Sequence, residues 1–357
     1  RERYHQILHQ QYRKYHIYCV VCQKSTVHYL KTRSKMAIYT GSTKHLGGTE
    51  KVTMKEQYYY GLVQKRVLVI GATGQLGSEL KEFNSEHKSM FQYFYTGSAD
   101  LDITQLDAVR NYIEQNSIEY IVNCAAYTMV DWCESDVEVC NAVNHFGAEN
   151  LAKAAAEFNC KLIHVSTDYV FDGKANEPYR EDSPVNPLSV YGKAKLRAEE
   201  AVMSIAPNSI IIRTAWLYSS YKVNFVKTML RLMSEKEELT IVNDQYGTPT
   251  YARDLAEAIT VILDRAESGE WKKGIYHFSN LGETTWYGFA KKIKQLSNIE
   301  GCQLKPIPTK DYPTAAVRPL YTVLDKSKIQ NTFHFTIPHW EVSLEKFLNK
   351  LREENKK

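Results

Sequence analysis

A chain of 357 residues, 43% hydrophobic and 24% charged, is long enough for one large or two modest domains of an ordinary globular protein. It holds no run of about 18 apolar residues, so no membrane-spanning helix and no membrane partner are expected. The net charge of +4 is unevenly spread: residues 1–60 carry 11 Lys and Arg against 3 Asp and Glu, leaving 34 against 38 elsewhere, so the body is mildly acidic and gives no reason to expect nucleic acid.

Residues 1–62 are rich in Tyr, His, Lys and Gln and show no sustained period of 3.6 or 2. They read as a disordered or non-native extension, with Met36 and Met54 as candidate starts. Scarce acids would suit a transit peptide, but the many tyrosines and the missing amphipathic period oppose one. Cys19-Val-Val-Cys22, with His16 and His28 nearby, is a single cysteine pair without a second ligand pair at finger spacing, so no zinc site is expected. The seven cysteines form an odd, scattered set, which reads as reduced thiols in a cytoplasmic protein.

Lys65–Phe83, KRVLVIGATGQLGSELKEF, opens with a β-branched run suited to a strand buried on both faces. Gly71, Gly74 and Gly77 follow at three-residue spacing, with Thr73, Gln75 and Leu76 between them, and then a helical pattern of Leu76, Leu80 and Phe83. Strand, glycine turn and helix place backbone N–H groups and a helix N-terminus against a diphosphate. Any tight strand-to-helix turn can use glycine, so it is this order of elements that points to a dinucleotide.

Met90–Tyr95 is the expected second strand. An acid that would hold a ribose of NAD is missing after it, at Tyr95-Thr96-Gly97, and no Arg stands there for a 2′-phosphate, which leaves NADH and NADPH both open. Tyr120–Ala126 is a third strand; small Ala125 and Ala126, before Tyr127, would let a cofactor lie close to the backbone, although core packing explains them equally well. A helix is expected over about 137–158, and then a strand at Lys161–Val165 that ends in Ser166-Thr167-Asp168. Open α/β sheets bind ligands beyond the carboxyl ends of their strands, so these hydroxyls are well placed for chemistry.

Tyr191 and Lys195 are four apart and share a helix face, where an ammonium would lower the phenol pKa toward working pH. The same spacing recurs at Tyr218/Lys222 and Tyr287/Lys291, but only Tyr191 opens a helix one loop after a hydroxyl-bearing strand end. Further on, the patterns predict a strand at Ile210–Tyr218, a helix at Asn224–Met233, a turn-rich stretch at Val242–Tyr251, and a helix at Ala252–Leu263. A strand at Gly274–Ser279, a helix near Thr285–Leu296, irregular chain around Leu304–Pro308 and Arg318-Pro319, and a helix at Leu344–Glu354 follow. Alternating strands and helices give an α/β fold, a Rossmann-like doubly wound parallel sheet over 63–212 with a later contribution from about 240–265. A smaller, discontinuous substrate domain is expected mainly over 213–357.

GATGQLG at 71–77, NCAAYTMVD at 123–131, STDYVFDG at 166–173, PLSVYGKAKLRAEE at 187–200, RTAWLYSS at 213–220, NDQYGTPTYARDLA at 243–256 and Arg318-Pro319 occur in order. Together they resemble the dTDP-4-dehydrorhamnose reductases, a family of the extended short-chain dehydrogenase/reductase superfamily. The resemblance implies NADPH- or NADH-dependent reduction of the 4-keto group of dTDP-6-deoxy-L-lyxo-4-hexulose to dTDP-L-rhamnose. It implies Thr167, Tyr191 and Lys195 as catalytic residues, Lys195 also on the nicotinamide ribose, and Asp102-Ile103 beside the adenine. Asp168, Val130, Arg213, Trp216, Asn224, Gln245 and Arg318 fall on the dTDP-sugar side. Some members bind magnesium through glutamates at a homodimer contact, and Glu79 matches one such position. The departures are the extension, the missing acid, and Met129, Trp132 and Cys133 in a loop near the substrate. Two alternatives stay open: another sugar-nucleotide reductase, epimerase or dehydratase, and a non-catalytic NADP-binding subunit like the regulatory β subunit of methionine adenosyltransferase. An acid pair after the catalytic Thr would suit a dehydratase, but Asp168 is followed by Tyr169.

The aperiodic, basic character of the first 62 residues leads to a direct test. A protein starting at Met54 is expected to keep its solubility and turnover; a large loss of either would show that the removed segment packs on the body.

Overall fold

The computed structural model describes residues 64–354 and, before them, the backbone of 16–22, 25–32, 35–42 and 53–57. In that first unit β1 (His16–Cys22), β2 (Ser25–Thr32), β3 (Lys35–Ser42) and β4 (Thr53–Gln57) form an antiparallel meander, in a stretch whose sequence shows no two-residue period. The side chains of this unit lie outside those described, and with them the reading of His16, Cys19, Cys22 and His28.

The second unit begins with β5 (Lys65–Ile70), whose Val67, Leu68, Val69 and Ile70 are all buried. It continues through α1 (Gln75–Glu86), β6 (Phe91–Thr96), α2 (Leu106–Asn116), β7 (Tyr120–Asn123), α3 (Val137–Asn141), α4 (Ala148–Glu157), β8 (Lys161–Thr167), α5 (Val190–Ile205) and β9 (Ile210–Thr214). β14 (Gly274–His277) completes a six-stranded sheet of order β14-β9-β8-β7-β5-β6. The pairs β5–β7, β7–β8, β8–β9 and β9–β14 are parallel. The order reverses between β5 and β7, and such a switch point opens a crevice beyond the strand ends.

Burial on both faces explains the continuous apolar strands. Val67, Val69, Val122, Ile163 and Ile212 pack against Leu80 of α1 and Leu255, Ile259 and Ile262 of α7 (Ala252–Glu267). Leu68, Ile70, Ile121, Leu162 and Ile211 face the other way, onto Val109 and Ile113 of α2, Leu151 and Ala155 of α4, and Val202 of α5. The two-residue alternation of a strand thus divides one apolar run between two helical layers.

A third cluster gathers Val226 and Met229 of α6 (Phe225–Glu235), Phe289 and Ile293 of α8 (Trp286–Leu296), and Trp340, Leu344 and Phe347 of α10 (Trp340–Glu354). Around it lie β10 (Leu217–Tyr218) with β13 (Thr250–Tyr251), β11 (Glu238–Val242) with β16 (Gln303–Ile307), and β12 (Tyr246–Gly247) with β15 (Thr284–Thr285). α9 (Ser327–Phe333) returns to the sheet through Ile329 and Phe333.

Several local expectations are corrected. The helix over 137–158 carries a π-turn at Ala142–Gly147, between α3 and α4. The strand expected at Ile210–Tyr218 breaks at Trp216, whose φ of +45° is left-handed, and β10 then pairs with β13 outside the main sheet. The stretch read as irregular at Leu304–Pro308 lies largely in β16: Pro306 pairs opposite Ile241 in a two-stranded ribbon, where an edge tolerates its missing N–H. The stretch 240–265 divides, its first residues in β11 and its later ones in α7 against the sheet.

Under the carboxyl edge of the sheet lies a buried ion pair. Arg213 and Glu199 are 3% and 2% exposed, with Arg213 Nη2 2.7 Å from Glu199 Oε2 and Nε 3.0 Å from Oε1. Ser166 Oγ donates to Glu199 Oε1 at 2.5 Å. Removing one partner of such a pair strands the other charge, at a cost of about 3–5 kcal/mol. Glu199→Ala is therefore expected to lower unfolding free energy by that order in urea titrations, and the double replacement Glu199→Leu/Arg213→Met by clearly less. Equal losses would show that the pair contributes through packing and not through charge.

Candidate active site

The turn after β5 is held by backbone contact. Gly71 sits at φ +76°, and a Cβ there would lie 2.6 Å from Ala125 N. A Cβ on Gly77 would lie 2.4 Å from Gly71 O, so α1 packs directly on the turn. The N-cap of α1 is Gly74, which makes no side-chain capping bond, so the first N–H groups of this 12-residue helix remain free for an anion. Gly71, Thr73, Gly74, Asp102, Ile103, Ala125 and Ala126 line a cavity of about 220 Å³ at the switch point. Cys124, Ser98 and Val143 are also part of its wall. Seven of the residues expected to hold a cofactor thus meet in one place, beside a turn with no room for a Cβ at Gly71. Asp102 Oδ1 accepts from Thr104 N at 2.9 Å and from its hydroxyl at 2.8 Å, which shapes the loop. Tyr127 does not line this cavity: its backbone is pinned by Asn144, with Tyr127 N 2.9 Å from Oδ1 and Nδ2 3.0 Å from Tyr127 O, while its phenol reaches Asp136. Asn144 can do this because it projects from the π-turn.

A larger cavity, about 470 Å³, continues from Gly74, Gln75 and Leu76 across the ends of β8 and β9. Thr167, Asp168, Tyr191, Lys195, Val130, Trp216 and Asn224 line it. Ser189 caps α5, its side chain accepting from Gly192 N at 3.1 Å, and this places Tyr191 in the first turn and Lys195 one turn on. The Tyr191 phenol is hydrogen-bonded with Thr167 and is raised by burial, not lowered by its lysine as the spacing suggested. Lys195 is 1% exposed, and its Nζ donates to Val165 O at 2.7 Å and lies 3.3 Å from His164 Nε2. Burial lowers its ammonium to about 8, against the opposing pull of Glu199, Cys124 and Cys140. Burial also pushes the Asp168 carboxyl up to about 6, although Thr322 and Thr167 hydrogen-bond to it.

Trp216 stacks on Trp286 at 3.6 Å between ring centroids, and Trp286 also lines a neighbouring cavity of about 240 Å³ with Gln245 and Arg318. Gln245 Oε1 accepts from Trp286 Nε1 at 3.1 Å. Arg318 forms a two-armed pair with Asp131, at 3.0 and 2.6 Å. Asn224 caps α6 and donates to Gln75 Oε1 at 3.1 Å, tying the two sides of the larger cavity together. Arg213 is not in either cavity; it is buried against Glu199. Trp286, Lys222, Val223 and Cys124 line the larger cavity without having been expected there. Lys222 entered the sequence reading only as half of a rejected Tyr/Lys pair, and Trp286 comes from a distant helix.

Of the two other Tyr/Lys pairs, Lys222 lines the larger cavity, but neither Tyr218 nor Tyr287 does. Tyr218 is buried, stacked on Tyr251 and edge-on to Phe347. Tyr287 sits on α8, with Lys291 Nζ 5.6 Å from its ring centre. Glu79 is buried and raised to about 7 by desolvation, with Lys350 Nζ 3.7 Å away and Glu82 and Arg253 beside it. Two carboxylates are thus met by two cations, and among the described residues no three His, Cys, Asp or Glu converge to hold a metal. Magnesium enters no step below.

The family model described as the RmlD substrate binding domain matches residues 65–353. A dTDP-4-dehydrorhamnose reductase of Aggregatibacter actinomycetemcomitans is 40% identical over 287 residues, 78% of this chain and 97% of that protein. The spore coat polysaccharide biosynthesis protein SpsK of Bacillus subtilis is 37% identical over 283 residues, 79% of this chain and 96% of its own. Among solved structures, a dTDP-4-dehydrorhamnose reductase of Bacillus anthracis in complex with NADP has a TM-score of 0.75 at 36% identity, covering 81% of this chain and 100% of that one. Its counterpart from Clostridium acetobutylicum has a TM-score of 0.76 at 37% identity, covering 80% and 99%.

Proposed function

The chain belongs to the dTDP-4-dehydrorhamnose reductase family, and we propose that it reduces the 4-keto group of dTDP-6-deoxy-L-lyxo-4-hexulose with NADPH or NADH, giving dTDP-L-rhamnose. The observation that carries the reading is the meeting of Thr167, Tyr191 and Lys195 in one cavity that runs on from the glycine turn. The diphosphate would lie on the free N-terminus of α1, and the adenosine in the cavity lined by Asp102 and Ile103. The free thiols of the described cysteines agree with a cytoplasmic setting. Among the described residues no helix is long and apolar enough to cross a membrane.

When bound, the nicotinamide supplies the hydride. Tyr191 supplies the proton: burial keeps its phenol protonated at neutral pH, the state that an acid needs before the reaction. As the carbonyl oxygen gains charge, the Thr167 hydroxyl turns from Asp168 Oδ1, 3.1 Å away, to donate to it. The Lys195 ammonium offsets the charge left on Tyr191 and reaches the ribose. Trp216 and Trp286 wall the sugar side, with Gln245 and Arg318 beyond them on the nucleotide side.

NADPH oxidation in the presence of the 4-keto sugar nucleotide tests the reading, since a non-catalytic binding subunit would show none. Tyr191→Phe keeps the ring and is expected to lower kcat by roughly a hundred- to ten-thousandfold with cofactor binding retained. Thr167→Val is expected to cost about two to three orders. Tyr218→Phe and Tyr287→Phe should stay within a few-fold of the parent. Near-parent turnover in Tyr191→Phe with loss in a control would remove the carboxyl edge as the active site.

The missing acid after β6 sets a second expectation. Both NADPH and NADH should be used, with kcat/KM values differing by less than roughly a thousandfold, about 4 kcal/mol. A larger ratio would reveal a dedicated ribose or phosphate contact.

A further inference from the structure

His164 takes no part in the steps above, yet it lies directly behind Lys195. It is 1% exposed, in the middle of β8, with its ring between Asn123 and Lys195. The hydrogen bonds fix which ring nitrogen carries the proton. Ala125 N can only donate, and it lies 3.0 Å from Asn123 Oδ1, so Asn123 presents Nδ2 on its other side. Asn123 Nδ2 lies 3.0 Å from His164 Nδ1, which must therefore accept. Burial, and then the Lys195 charge, hold the imidazole well below its ordinary value, so it is neutral. The single ring proton is on Nε2, 3.3 Å from Lys195 Nζ.

We propose that His164 is a positioning residue: Asn123 locks the tautomer whose Nε2–H faces Lys195, so the ring offers the ammonium no competing acceptor and leaves its N–H groups to the cavity. Lys195 then has one acceptor behind it, Val165 O at 2.7 Å, and its other N–H groups are left for the cavity. A ring turned the other way would capture one of them. The remaining groups that act on Lys195 are Cys124 at the end of β7, Cys140 on α3 and Glu199 on its own helix, the last already bound to Arg213. Tyr191 stands one turn before Lys195 on the same helix.

The inference rests on the reading of Lys195 as part of the reaction, and the test separates the two. Long-range ¹H–¹⁵N spectra of histidine-labelled enzyme should show Nδ1 of His164 unprotonated and Nε2 protonated, a readout independent of activity. Asn123→Asp keeps the acceptor for Ala125 N but turns the Nδ1 contact into an acceptor, so the ring proton should move to Nδ1 and leave Nε2 to accept from Lys195. The basic limb of the kcat/KM profile should then move up by about one pH unit. His164→Gln, which can present an N–H near the Nε2 position, should keep the parent limb, while His164→Leu, checked for folding by circular dichroism, should shift it. A parent spectrum with Nδ1 protonated, or a limb unmoved in both Asn123→Asp and His164→Leu, overturns the role of His164. Retained turnover in Lys195→Met would instead overturn the reading of the site.

Discussion

The contact between Gly71 and the end of β7 is the constraint on which the rest of this molecule depends. There the backbones of two neighbouring strands diverge, one into α1 and the other into the loop at Ala125, at a separation that leaves no space for a Cβ. Because Gly77 lets α1 rest on the same turn, the helix N-terminus is aimed into the crevice and not past it. The cavity at Asp102 and Ile103 lies on one side of this point, and the larger cavity with Tyr191 lies on the other. A dinucleotide laid across it would place its two ends where the switch point of an open sheet allows.

The chemistry proposed for the far end needs a cation in a dry place, and the surrounding charges show how the fold tolerates one. Lys195 is buried without a carboxylate partner of its own, because Glu199, one turn along the helix, is held by Arg213 in a pair that also engages Ser166. Had Arg213 been absent, Glu199 would be a free buried anion one turn from the lysine, and would draw its ammonium back under the sheet. The arginine thus acts on the site from outside it, by keeping an acid occupied.

Much of this was legible in the sequence where the signal is local. Three glycines, a Tyr four residues before a Lys, and a hydroxyl pair ending a strand are each contained within one turn or one strand, and the structure brings them to two adjoining cavities. Arg213 was misplaced because a strand-end arginine looks alike whether it meets a ligand or a glutamate from a helix far off in sequence. Trp286 gave no signal, since its role depends on stacking with Trp216, and that ring is set by a left-handed backbone no pattern announces. The ribbon strand at Gln303–Ile307 was hidden by its proline, harmless only because the strand lies at an edge. The alternation of helix and strand carried the main sheet, while the short ribbons around the third cluster, only two to five residues long, fall below what periodicity can resolve.

The stacked tryptophans also set how a substrate can lie. Trp216 is fixed from beneath, because a Cβ on Gly247 would come within 2.6 Å of its ring, and from above by Trp286 at 3.6 Å. Trp286 is in turn held by Gln245 through its indole N–H. The wall between the two cavities is therefore rigid, and Gln75, Asn224 and Ser219 brace its near side against the cofactor helix. On the proposed reading, a flexible substrate meeting such a wall would bend around it, with its reacting carbonyl on the Tyr191 side and its charged remainder toward Arg318. Arg318 is already paired with Asp131, so an incoming diphosphate would have to share the guanidinium or displace the carboxylate. Asp131 is 40% exposed, so it loses little solvation in giving way. The loop that carries Asp131 also carries Val130 into the larger cavity, so displacement of that one carboxylate would couple occupancy of the Arg318 side to the shape of the cavity that holds Tyr191.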